Sequence, residues 1–316
     1  MREINCPICD VNHSEHVYQV RDRLLGVEGE FTLVRCLECG LLYLNPQPTV
    51  EEIVRYYPPK YYSYVSVPPG ELSWPHRMVL NYGLYKRCQA VTRCKKEGRL
   101  LEVGCANGAF LDAMRRTGGW DVYGVDISEH AVRCARDQLG LNVFHGQLQD
   151  ARFPNHFFDI VVLWDVLEHL PDPKSALLEI RRVLAPDGWL IFRVPNLDSL
   201  DARIFGPYWA GLDAPRHFFI FSETTLKRLL ELCGFTLYRM TCISGTYPAF
   251  VLSMRLWARD HLSPRTQDWV QRVLESLPTR LLVAPIFQVV DRLKKSTVVT
   301  VYARYAQETN REAATG

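Results

Sequence analysis

The sequence predicts an α/β fold: a doubly wound, mostly parallel sheet with a small cysteine-rich module ahead of it. Three observations predict it. From residue 98 onward, short and nearly continuous apolar runs alternate with helix-like stretches, the pattern of a parallel sheet covered on both faces. The first run, Leu100-Leu101-Glu102-Val103, breaks into a turn of small residues, Gly104-Cys105-Ala106-Asn107-Gly108, before a helix start. Small residues there let backbone approach a ligand closely, and the helix N-terminus offers unsatisfied N–H groups. The next strand ends on Asp126, 24 positions beyond Glu102, where open sheets of this class bind ligands. A carboxylate in that place can accept both hydroxyls of a ribose; its competing use, as a helix cap, is already offered by Ser128.

Taken in order, residues 78–92 form a lead-in helix. Strands follow at 98–103, 121–125, 141–145 and 158–164, with helices over 108–116, 128–139 and 173–184. Pro186-Asp187-Gly188 makes a turn into a fifth strand over 189–194. Ser222 caps a helix over 223–233 that Gly234 ends, and a sixth strand covers 235–243. A last strand spans 297–305. The expected catalytic domain is 72–245 plus 297–305, and 246–296 is a helical insertion with pieces at 249–260 and 280–295. The second piece is too short to span a bilayer; it reads as a lid over the substrate mouth, a dimer contact or a peripheral membrane contact through 280–295.

Apolar residues make up 47% and charged residues 23%, as in an ordinary globular protein, and the net charge of +2 sets up no strong overall field toward nucleic acid or an anionic membrane. Residues 1–20 are polar and contain Cys-Pro-Ile-Cys, unlike a signal peptide, and no apolar run is long enough to span a membrane, so a cytoplasmic location is expected. Six of the ten cysteines are scattered as reduced core thiols.

The other four form two pairs, Cys6-Pro7-Ile8-Cys9 and Cys36-Leu37-Glu38-Cys39, with 26 residues between Cys9 and Cys36. Each two-residue gap lets one tight turn aim two sulfurs at a single ion, and two such turns give the four-thiolate set of structural zinc, with a [4Fe–4S] or mononuclear iron site as the alternative. Residues 17–20 and 31–35 alternate like the strands of a hairpin between the knuckles, and Thr49 with Glu52 signals a short capped helix. Lys and Arg are sparse here, so no nucleic-acid partner is expected. The module and its strap occupy 1–65. The stretch Tyr56-Tyr57-Pro58-Pro59-Lys60-Tyr61-Tyr62 reads either as the seam between module and sheet or as part of a substrate mouth.

Five segments in order, 101–108, Val125-Asp126-Ile127-Ser128, 158–161, Val166-Leu167-Glu168-His169-Leu170 and 184–188, make residues 95–245 resemble a class I S-adenosylmethionine-dependent methyltransferase. The resemblance implies a seven-stranded sheet whose last strand is antiparallel. It implies that Glu102 reaches the amino group of the methionine moiety, that Gly104 and the backbone of Cys105, Ala106, Asn107 and Gly108 cradle the methionine and ribose, and that Asp126 holds the ribose. Ile127 would pack on adenine, Gln147 and Leu148 would sit at the adenine rim, and Trp164 and Asp165 would lie beside the sulfonium. Two positions depart from the family's habit: Ala106 stands where glycine is common, and Gln147 where an acid is.

A methyl acceptor with a hydroxyl or carbon acid needs a base. His169 is one candidate, its alternative being a histidine that fixes the loop. A second set, Trp209, Asp213, Arg216 and His217, follows the fifth strand and resembles the Trp-x-x-x-Asp-x-Pro-Arg-His motif of a methyltransferase subgroup that also carries the double CxxC. It offers His217 as acid/base and Trp209, Asp213 and Arg216 as substrate contacts; alternatively Arg216 pairs with Asp213 to close the loop. The expected activity is O- or C-methylation of a small molecule. A nucleotide-linked sugar or glycan precursor is one substrate class that the resemblance suggests. The alternatives are a lipid-linked acceptor at a membrane surface, or a nonenzymatic binding module that keeps the cofactor fold.

Overall fold

The computed structural model describes residues 1–57, 74–242 and 246–306. The cysteine-rich module supplies three strands, β1 (Ser14–Arg21), β2 (Glu30–Cys36) and β3 (Leu42–Leu44), followed by α1 (Val50–Ile53). Thr49 and Glu52 form the expected reciprocal capping box. The expected linker, 65–71, and the distal part of the strap lie outside the described residues. After α2 (Trp74–Thr92), strands and helices alternate: β4 (Gly98–Val103), α3 (Ala109–Arg116), β5 (Trp120–Asp126), α4 (Glu129–Leu139), β6 (Asn142–His145), β7 (Phe158–Trp164), α5 (Pro173–Val183) and β8 (Leu184–Pro195). Then come α6 (Leu200–Phe205), β9 (Phe219–Ile220), α7 (Glu223–Leu232), β10 (Phe235–Thr241), α8 (Thr246–His261), α9 (Pro264–Glu275), α10 (Leu277–Arg292) and β11 (Val298–Tyr305).

The large sheet has seven strands in the order β10-β11-β8-β7-β4-β5-β6. β11 runs antiparallel between β8 and β10, and the other neighbours pair parallel. The strands are buried on both faces: Leu100, Ile160 and Ile191 enter one apolar cluster, while Leu101, Val161 and Phe192 enter another. That double burial is why the runs read as continuously apolar. The chain leaves β4 toward β5 and β6 and returns to β7 on the other side of β4, so the strand order reverses there. The crevice at the carboxyl end of β4 is therefore the place for a ligand.

Three expectations change. The Pro186-Asp187-Gly188 turn is a bulge within β8: pairing jumps from Phe158–Leu184 to Ile160–Trp189. Lys95 fixes this region, 2.9 Å from Asp159 and 2.7 Å from Asp187. The insertion holds three helices rather than two, because Ser263-Pro264 starts an additional helix with a serine cap and a proline in its first turn. The module, finally, is not closed on itself. β9 pairs with β3, Leu42 opposite Ile220 and Tyr43 opposite Phe219, completing a four-stranded antiparallel sheet β1-β2-β3-β9.

Beside this shared strand, the wholly buried guanidinium of Arg216 meets Asp22 of the module at 2.8 and 3.0 Å and Asp213 at 2.6 and 3.0 Å, and it also donates to the carbonyl of Tyr56. Burial works against its charge, but the two carboxylates outweigh that and hold it protonated. Among the described residues, no single helix is long and apolar enough to cross a membrane. Arg216→Ala strands two buried carboxylates; chemical denaturation is expected to show a loss of about 3–5 kcal/mol, far above the cost of a surface ion pair.

Candidate active site

The end of β4 is shaped by backbone that bends where side chains fit poorly. Gly104 has φ +73°, and a Cβ there would lie 2.5 Å from Val166 Cγ2. Ala106 sits at φ +46°, a strained conformation for a residue with a Cβ. That bend aims the Ala106 N–H at Asp126 Oδ2, 2.8 Å away, while the other oxygen of Asp126 accepts the Ser128 N–H at 2.8 Å. Each oxygen keeps lone-pair capacity for a further donor. Ser128 itself caps α4, accepting from Ala131, so the cap and the free carboxylate are separate residues. Burial raises the Asp126 pKa, against the lowering effect of the two N–H groups.

Glu102 is buried, and its Oε2 has no partner among the described residues. Burial pushes its pKa well above the carboxylate range, opposed by the charge of Arg87. Asn107 accepts from the Ala109 N–H, shaping the turn, and Gly108 at φ +78° begins α3. Cys105 is buried in the turn, and burial raises its pKa, so it is inert as a nucleophile. Around the rim, Ile127 is 70% exposed, Gln147 is exposed and Leu148 is buried beneath it.

At the end of β7, Trp164 lies between Phe110, edge-on at 5.5 Å, and the guanidinium of Arg87, 5.5 Å from its ring centroid. Asp165, at φ +58°, takes Arg193 through both oxygens, with Arg87 3.7 Å away. Burial would raise its pKa, but Arg193 and then Arg87 hold it below the usual range. The loop that follows sets His169 against His217, ring centroids 4.6 Å apart. His169 Nδ1 lies 2.9 Å from the Arg216 carbonyl, which can only accept, so Nδ1 carries the proton and Nε2 the lone pair. Tyr57 OH is 3.0 Å from the same nitrogen. His217 Nδ1 likewise donates to the Gly211 carbonyl at 2.9 Å. Burial, and then His217, push the His169 pKa down to about 3; burial also lowers that of His217. Glu168 is fully buried, neither carboxyl oxygen has a partner among the described residues, and its pKa is raised well above the usual range by burial and by Asp165. One donor atom from each of Glu168, His169 and His217 lies within 4.8 Å of the others. That set can accept a substrate proton or take a divalent cation.

Two residues expected as substrate contacts, Trp209 and Arg216, are turned inward and buried. Trp209 is 2% exposed, its ring packed so tightly that a Cβ on Gly211 would fall 2.2 Å away. Arg216 is engaged by Asp22 and Asp213, the loop-closing ion pair with Asp213 being present. Asp213 lies between Arg216 and His217, 3.9 Å from His217 Nε2, and burial's upward pull on its pKa is overcome by Arg216. Of the motif, His217 alone joins the crevice group. Tyr56 and Tyr57 divide the two uses expected of their stretch: Tyr56 is buried against Phe31, and Tyr57 reaches His169. Remote from the crevice, the sulfurs of Cys6, Cys9, Cys36 and Cys39 lie within 4.8 Å of one another, with Cys6 and Cys39 at 3.6 Å. Thiolates ~2.3 Å from a tetrahedral ion stand roughly 3.8 Å apart, so the set fits a structural metal.

The chain matches the profile of the methyltransferase domain family over residues 31–239. It belongs to that family. The ubiquinone biosynthesis O-methyltransferase of Neisseria meningitidis is similar at 31% identity over 105 residues, 31% of this chain and 44% of the relative. The protein of the same description from Thiobacillus denitrificans is 35% identical over 116 residues, 34% of this chain and 49% of the relative. The chain thus spans about half the length of the curated relatives it matches. The crystal structure of the cyclase SpnF covers 82% of this chain and 98% of its own, at 19% identity and a TM-score of 0.50, and shares the fold.

The crevice fits the family's cofactor, S-adenosylmethionine. An unpartnered buried carboxylate oxygen, a turn with no room for a Cβ at Gly104, and Asp126 fixed by two backbone donors are the features such a ligand needs. Sequence reasoning missed Arg87, Arg193 and Glu168. Arg193 had a signal, an arginine inside the apolar run Leu190-Ile191-Phe192; Arg87 had none.

Keeping His169 neutral links stability to pH. The unfolded histidine takes a proton near pH 6.5, whereas the folded one refuses it until about pH 3. Between those values the unfolded state binds more protons, so stability falls as pH drops below 6.5, by up to about 1.4 kcal/mol per pH unit for one such group. Denaturation of wild type and His169→Gln at pH 7 and pH 5 is expected to show a shallower decline in the variant.

Proposed function

We propose that this protein transfers the methyl group of S-adenosylmethionine to an oxygen of a small molecule. The observation that carries the reading is the pair of buried carboxylates, Glu102 and Asp126, at the carboxyl ends of adjacent parallel strands beside a glycine turn. Asp126 accepts the ribose hydroxyls with lone pairs that the Ala106 and Ser128 N–H groups leave over. Glu102 offers its unpartnered oxygen to the amino group, and Ile127 lays an exposed apolar side chain against the adenine face. When bound, the cofactor supplies a methyl group already activated on a sulfonium.

What remains for the chain is positioning and one proton. His169 presents the Nε2 lone pair, held by the Arg216 carbonyl on the opposite nitrogen. It orients an acceptor hydroxyl and takes its proton as the methyl arrives, when the oxygen has become acidic enough for so weak a base. Oxygen as acceptor accords with this lone pair and with the O-methyltransferase description of the relatives. Labelled S-adenosylmethionine and a metabolite extract, followed by mass spectrometry, should reveal one methylated product. His169→Ala and His217→Ala should each slow its formation by about 10²–10⁴-fold with cofactor affinity retained. Asp126→Ala should lose cofactor binding in calorimetry. Full turnover in both histidine variants, or undiminished binding by Asp126→Ala, overturns the reading.

We propose further that the four-cysteine cluster holds structural zinc, since four sulfur ligands leave no open position for chemistry. Elemental analysis of purified protein should give one zinc per chain. Cys36→Ser or prolonged chelation should lower the melting temperature while the crevice residues remain intact.

A further inference from the structure

We propose that α9 and α10 dock this protein on the surface of an anionic phospholipid bilayer. α10 is apolar on two sides. Its inner side meets α8, with Phe287 5.1 Å from the Tyr247 ring and 5.5 Å from the Phe250 ring, and Val290 is buried. Its outer surface shows Leu277, Leu281, Leu282, Ile286, Val289 and Leu293, each more than half exposed, with Leu282 at 78%. α9 adds Trp269, 64% exposed, and Val273 one turn on. An apolar stripe of this size on a helix calls for a cover, and the described residues cover the opposite side only.

Charge selects the occupant. Arg265, Arg272, Arg280, Arg292 and Lys294 are exposed on these helices and the turn after them, and none forms an ion pair among the described residues, while the exposed acids there are Asp268 and Glu275. The near-neutral chain thus carries a local basic excess around this exposed apolar stripe. Anionic headgroups complement that rim and acyl chains complement the stripe. A second copy docking about a two-fold axis would set the basic rim against itself. The two helices meet at a 67° bend and are long and apolar enough to cross a bilayer only together, as a broken span; with the inner side of α10 packed on Tyr247 and Phe250 of α8, lying in the interface suits them better.

The docking surface also connects to the crevice. α8, on which α9 and α10 pack, accepts the Ala210 N–H on Ser253 Oγ at 2.9 Å and sets Phe250 edge-on to Phe205 at 5.3 Å, gripping the segment that leads to Asp213, Arg216 and His217. Resting on the methyltransferase reading, this arrangement brings the crevice to acceptors carried in the bilayer.

The test is flotation of the full chain with vesicles of equal phosphatidylglycerol and phosphatidylcholine, against pure phosphatidylcholine, with sedimentation velocity of the free protein. Binding is read without turnover, so its failure is separable from failure of the enzymatic reading. Expected are flotation with the anionic vesicles that weakens with salt, and losses of tenfold or more in both Leu282→Ser/Ile286→Ser and Arg280→Ser/Arg292→Ser/Lys294→Ser, each with wild-type circular dichroism. No flotation of wild type, equal affinity for both vesicle types, or a dimer that Leu282→Ser/Ile286→Ser dissociates without any flotation overturns the proposal.

Discussion

Burying a guanidinium is costly unless carboxylates surround it, and Arg216 is completely buried between two. Asp22 comes from the cysteine-rich module and Asp213 from the loop after β8, so this one cation ties together parts of the chain nearly two hundred residues apart. The same residue works through its backbone as well. Its carbonyl receives the Nδ1 proton of His169 and thereby decides which nitrogen faces the crevice. Module, loop and candidate base are consequently one mechanical unit.

The acids in and around the crevice fall into two regimes, and their partners explain the division. Asp165 and Asp213 have arginines against them and are held ionised in spite of burial. Glu102 and Glu168 have no arginine hydrogen-bonded to them among the described residues, and burial pushes both toward the protonated form against the weaker pull of Arg87 and Arg193. Unpartnered buried carboxyl oxygens are expensive in a folded protein. Their survival at both sides of one crevice is what a site built for a polar visitor looks like, since the visitor supplies the missing hydrogen bonds.

The sheet and the cofactor turn were legible because they are written locally. Gly104 and Asp126 announce themselves through spacing along two successive strands, and continuous apolar runs reveal burial on both faces. The loop of residues 207–218 was legible only as a place where function concentrates. Composition cannot say that Trp209 and Arg216 turn inward while His217 turns toward His169, because that choice depends on Asp22, far away in sequence. Arg87 illustrates the same limit: nothing near it in the chain predicts that its guanidinium stands over Trp164. The third insertion helix was the opposite case: Ser263-Pro264 signals its start locally, although most residues that follow are polar.

The pairing of β3 with β9 has a consequence for how the protein is made. The ribosome delivers residues 42–44 about 175 residues before residues 219–220. At ~5–20 residues per second, the amino-terminal hairpin waits roughly 10–35 s with a bare strand edge before its last neighbour arrives. A naked edge is a template for the wrong chain. Synthesis speed and chaperone supply, rather than final stability alone, therefore govern how much of this polypeptide reaches its native state in a crowded cell.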